Sequence, residues 1–82
     1  MKNVTRHFGT LRIIKRDKSS ANGNPRYIAM IDGYKFKTAV DSHYGYSLPN
    51  YDGKYCEVLI GSHYGVLTLD YIRNAESIGL FQ

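Results

Sequence analysis

RYIAMIDGYKFKTAV, residues 26–40, reads as two strands joined by a two-residue turn. Asp32-Gly33 suits a type I′ turn, whose twist matches that of antiparallel strands. The runs on either side are rich in Tyr, Ile, Phe, Thr and Val, residues that fit a pleated, half-buried surface. In the second run Tyr34, Phe36 and Thr38 alternate with Lys35 and Lys37, so one face is core-like and the other cationic. A hairpin in the middle of the chain predicts β structure on both sides of it.

Working outward, residues 9–16 predict a strand with Leu11 and Ile13 on one face and Arg12, Ile14 and Arg16 on the other. Residues 17–25 (DKSSANGNP) predict an exposed loop. Downstream, residues 41–53 read as a long connection with Pro49 and a second turn pair, Asp52-Gly53. Residues 54–60 and 66–72 predict two more strands, and 78–81 a short last one, with a helical turn within 69–75 left open. No apolar pattern holds a helical period over three turns. The expected fold is all-β: one domain over residues 1–82, a small five- to six-stranded, partly open barrel of SH3-like or OB-like type. The expected core is Leu11, Ile13, Ile28, Met30, Phe36, Val40, Val58, Ile60, Leu67 and Leu69.

A shift of 20 residues maps Ser42-His43-Tyr44-Gly45 onto Ser62-His63-Tyr64-Gly65 and Asp32-Gly33 onto Asp52-Gly53. Segments 31–50 and 51–70 therefore read as two pseudo-repeated hairpin units. Two copies fall short of the three or so that a solenoid needs.

The chain has 82 residues, of which 43% are apolar and 22% charged, with a net charge of +4. A domain of this size buries only about 60% of its unfolded surface, which leaves little room for a deep substrate cavity. Residues 1–37 carry a net +7 and residues 38–82 a net −3, so a polarised surface is expected. Cys56 is the single cysteine, which excludes an internal disulfide framework and a four-cysteine zinc site. No run is long and apolar enough to span a bilayer, and Met1 to His7 lack the apolar stretch of a secretory signal. A cytoplasmic location without membrane contact is expected. His7, His43, His63 and Cys56 lack close chelate spacing, so no metal or other cofactor is expected. Neither GxxxxGK nor GxGxxG occurs.

Eight Tyr, three Phe and no Trp are an unusual aromatic set for so small a core. Tyr44, Tyr46, Tyr51 and Tyr64, with His43 and His63, cluster near the repeated turns, and Tyr on loops gives contact area at low entropic cost. The leading expectation is a non-enzymatic protein that acts by stoichiometric occupancy. It would be an inhibitor or adaptor, similar in profile to phage and mobile-element accessory proteins, docking on nucleic-acid-handling or host-defence machinery. A homodimer joined along a sheet edge is a further expectation. The alternative is direct binding of single-stranded nucleic acid by Arg12, Lys15, Arg16, Lys18, Arg26, Lys35 and Lys37, with Tyr27, Tyr34 and Phe36 among them. A remoter alternative is a metal-independent ribonuclease with His43 and His63 as acid and base.

Overall fold

The computed structural model describes residues 3–19, 21–39, 42–63 and 65–79. Among them are six strands: β1 (Asn3–Thr10), β2 (Arg12–Asp17), β3 (Arg26–Ile31), β4 (Tyr34–Thr38), β5 (Tyr55–His63) and β6 (Val66–Asn74). Between β4 and β5 lies a short helix, α1 (Tyr44–Ser47), that runs into a 3₁₀ turn at Leu48–Tyr51; α2 (Glu76–Gly79) follows β6. The chain is mostly β, as its pattern predicts. The strands form one mixed sheet, not closed, in the order β1-β5-β6-β4-β3-β2. Every neighbouring pair is antiparallel except β4 and β6.

The two edge strands, β1 and β2, are consecutive in the chain and separated by Leu11 alone. Leu11 is fully buried; its N–H donates to the Lys54 carbonyl (3.0 Å), and its own carbonyl accepts from the Gly53 N–H (2.8 Å). It thus extends the pairing of β1 with β5 by one residue before β2 turns away to β3. The sheet must curl for one residue to serve both edges. The curl encloses a core of Leu11, Ala29, Ile31, Phe36, Leu48, Cys56, Val58, Ile60, Leu69 and Ile72.

Sequence and structure part in several elements. Residues 3–8 are a strand that the sequence reading left unassigned, and residues 9–16 divide at Leu11. The connection at 41–53 contains α1 and the 3₁₀ turn, whose Leu48 is fully buried. Residues 76–79 form α2 where a last strand was expected, with the Asn74 side-chain carbonyl accepting the Glu76 N–H (2.8 Å). Of the expected core, Leu11, Phe36, Val58, Ile60 and Leu69 are in it, and Ile13 and Leu67 pack against it half-buried. Ile28 is buried as expected (8% exposed), on the side of β3 opposite Ala29 and Ile31, whereas Met30 is 37% exposed. Apolar residues stand on both faces of β3, so its sequence carries no phase; pairing with β2 and β4 turns Ala29 and Ile31 inward. Val40 lies outside the described residues.

The two SHYG segments take different conformations. Ser42 to Gly45 lead into α1, whereas Ser62 and His63 end β5 and Gly65, at φ 79°, turns the chain into β6. The Asp-Gly pairs differ too. Asp32 and Gly33 both have positive φ (48° and 81°), as type I′ requires. Asp52 (φ −61°, ψ 127°) and Gly53 (φ 82°) make a type II turn, closed by the Lys54 N–H on the Tyr51 carbonyl (3.0 Å).

Candidate nucleic-acid interface

Residues directly opposite each other in a sheet share a face, so the register places the side chains. Ala29 and Ile31 point into the core; Arg26, Ile28 and Met30 therefore point out. On β2, Arg12 stands opposite Met30, Lys15 opposite Ile28 and Asp17 opposite Arg26. On β4, Lys35 stands opposite Met30 and Lys37 opposite Ile28. The outer face of β2-β3-β4 is thus a central strip, Ile28 and Met30, with a cationic row on each side. Arg12 and Lys15 form one row, Lys35 and Lys37 the other, and Arg26 closes the end. Lys15 and Lys37 are two strands apart, about 10 Å, and Lys35 and Lys37 lie about 6–7 Å apart along β4.

A bulge sets this arrangement. The β2–β3 register shifts between Ile13 and Lys15, which leaves Ile14 as the extra residue, 46% exposed. Lys15 is thereby turned onto the face of Arg12. Arg16 then pairs with Tyr27, which packs against the core, so Arg16 belongs to the other face of this edge strand, where its guanidinium lies 3.5 Å from the Ser19 hydroxyl. Lys18 is exposed in the loop after β2. Five of the seven cations singled out in the sequence thus share one face, and two do not.

Asp17 lies 3.8 Å from the Lys37 ammonium. The Lys18 N–H first, and then the charges of Lys37, Arg26 and Lys15, hold its carboxyl below the usual carboxylate range, against a desolvation effect larger than any one of those charges. Arg26 is anchored by its guanidinium donating to the Thr38 carbonyl (3.4 Å).

Next to the lysines the sheet splits. Among the described residues the parallel β4–β6 ladder joins Lys37 to Thr68 and Thr38 to Leu69. Before it the strands diverge around an open cleft of about 370 Å³, walled by Ile28, Phe36, Val66 and Leu67 and flanked by Lys35 and Lys37.

The aromatic residues lie elsewhere. Phe36 is 1% exposed, Tyr27 packs on the core, and the Tyr34 ring sits 4.1 Å from the His7 ring. Tyr44 and Tyr51 are half-buried against the core, while Tyr46 is 65% exposed and donates its hydroxyl to the Asn24 side-chain carbonyl. Exposed His43 holds the N-cap position of α1 without a side-chain cap hydrogen bond, its ring 4.1 Å from that of Tyr44. The His63 backbone ends β5, its side chain lies outside the described structure, and Tyr64 lies outside the described residues. Among the described residues no three His, Cys, Asp or Glu side chains converge as a metal site requires, and no helix is long and apolar enough to cross a membrane.

A second patch, absent from the sequence reading, occupies the outer face of β1-β5-β6. Glu57, 7% exposed, is clamped between Arg6 (3.0 Å) and Arg73. Its carboxylate accepts a hydrogen bond from the Arg73 guanidinium and, with its charge, raises the Arg73 pKa. Around this clamp Val4, Phe8 and Tyr71 are 37–46% exposed. The available signal was the alternation of Val4, Arg6 and Phe8 with Thr5, His7 and Gly9.

No protein-family model, curated protein or solved structure matches the chain.

Proposed function

We propose that this protein binds single-stranded nucleic acid on the outer face of β2-β3-β4, by occupancy and without catalysis. The observation that carries this reading is the register that gathers Arg12, Lys15, Arg26, Lys35 and Lys37 around one strip. Five cations on a surface of three strands suit the closely spaced charges of a polynucleotide backbone. Topology supports it. With β1, Leu11 and β2 taken as one kinked strand, the sheet follows a five-stranded order whose β4–β6 seam is short, with a helical segment between β4 and β5. That is the Greek-key order of an OB-like barrel, and OB folds bind oligonucleotides across the equivalent face. Fold likeness alone implies no ligand; the cations supply the chemistry. A cytoplasmic setting belongs to this proposal.

The test is fluorescence anisotropy with a labelled oligothymidylate over a salt series. The Arg12→Ala, Lys15→Ala, Lys37→Ala triple variant is expected to bind at least about tenfold more weakly, with a salt slope lower by about two, at roughly 0.7 per phosphate contact. Absence of binding by the parent at low salt, or binding indifferent to the triple substitution, overturns the reading.

The second patch favours a second reading, a stoichiometric inhibitor or adaptor that docks a protein on β1-β5-β6. Phe8, Tyr71 and the paired Arg6 and Arg73 are the residue types that dominate binding energy at interfaces. A partner that is recovered from lysate after nuclease treatment and lost on Phe8→Ala with Tyr71→Ala selects this reading. Recovery indifferent to both substitutions removes it.

A further inference from the structure

We infer that the cleft between β4 and the start of β6 is a subsite for one unpaired nucleobase, with Lys35 and Lys37 holding the phosphates on either side of it. This inference rests on the nucleic-acid reading and names the part of the ligand that the face takes beyond its charge.

The split in the sheet creates the site. The β4–β6 ladder ends at Lys37 and Thr68, so the main chain of Lys35, Phe36, Val66 and Leu67 lies beyond it. Lys35, Phe36, Val66 and Leu67 line the opening that follows. The walls are apolar, from Ile28, Phe36, Val66 and Leu67, and none of the lining residues is acidic. A volume of about 370 Å³ lies at the small end of ligand pockets, about 300–1,000 Å³. It suits a single ring system with its sugar and is too small for a base pair. A nucleobase brings apolar faces to the walls and a polar edge to the open mouth of the cleft. Its flanking phosphates meet two lysines about 6–7 Å apart. An anionic peptide brings the charge but no flat ring with a polar edge. Of the apolar wall residues three are aliphatic and one, Phe36, is a ring that is itself only 1% exposed, so the base is held chiefly by Ile28, Val66 and Leu67.

The experiment uses three proteins and two probes. Val66, 42% exposed at the lip of the cleft, is replaced by Trp, which fills the cleft and leaves every cation in place. A labelled twelve-residue oligothymidylate is compared with an all-abasic strand of the same length. The parent is expected to favour the oligothymidylate at least tenfold. Val66→Trp is expected to bind both strands as the parent binds the abasic one, with an unchanged salt slope. Lys35→Ala with Lys37→Ala is expected to weaken both. An oligomer carrying one 2-aminopurine gives an independent readout in the parent, its emission rising as the base leaves the stack. Equal affinity of the parent for the two strands, a base preference that survives in Val66→Trp, or unchanged 2-aminopurine emission at saturation overturns the subsite. The first two leave the cationic face standing. Failure of the parent to bind either strand removes the nucleic-acid reading itself, and the subsite with it.

Discussion

On the proposed reading, Asp17 occupies a position that a phosphate would otherwise take. It pairs with Lys37 and lies opposite Arg26, so it competes with an incoming anion for both. Asp17→Asn is expected to tighten oligonucleotide binding about fivefold at low salt, since one unit charge at about 4 Å in water is worth about 1 kcal/mol. The gain should fade in 0.5 M salt as screening shortens the field. An affinity equal to that of the parent at low salt would place the phosphates away from Lys37. Cys56 is buried, and its thiol is pushed up to about 11, first by desolvation and then by the Glu76 charge. The folded state therefore favours the protonated thiol. Its contribution is complete below the free-thiol pKa and is lost as pH rises through about 11. A disulfide reagent at pH 8 should label Cys56 only in denaturant, and labelling of native protein would contradict the burial. The tyrosines show the limit of residue-scale reading. Composition revealed their excess, but only tertiary packing separates Tyr44 and Tyr51, turned to the core, from exposed Tyr46.

Elements were legible where the pattern had a phase. The alternation in β4 placed Phe36 and Thr38 inside and the lysines outside, and the Asp32-Gly33 turn formed as its chemistry requires. Apolar residues on both sides of β3 erased its phase, and the polar edge strand β1 had only three weak alternations to announce it. The short helix α1 was hidden because four residues cannot show a period. Its seat depends on Gly45, where an added Cβ would stand 2.1 Å from the Pro25 carbonyl oxygen. Backbone is not free to yield there as a flexible side chain would. Gly45→Ala is therefore expected to cost about 1–3 kcal/mol, the range for overpacking a tight site, despite the better helix propensity of Ala. Urea melts of the two proteins measure this, and a gain in stability would mean that α1 does not rest on Pro25.

For the whole molecule, the sheet is two three-stranded halves with unequal seams. Eight residue pairs join β5 to β6, and eight join β1 to β5, whereas two join β4 to β6. The second link between the halves is Leu11, through which β1 passes into β2. Stability should be uneven as a result, since short ladders open first. Amide exchange is expected to be slow where β5 pairs with β1 and β6 and faster for the amides that cross the β4–β6 seam, although Thr38 and Leu69 there are no more than 2% exposed. The cationic face lies on one half and the cleft at the weak seam, so a strand bound at both must close the seam against its partner. Ligand at about 100 times its Kd adds about 2.7 kcal/mol to global stability. Beyond that uniform gain, oligothymidylate should slow exchange of the amides that cross the β4–β6 seam by a larger factor than in β1, whereas an abasic strand should protect all strands alike. Equal protection across the molecule by both probes would mean that the ligand rides on the cations of one half and never enters the seam.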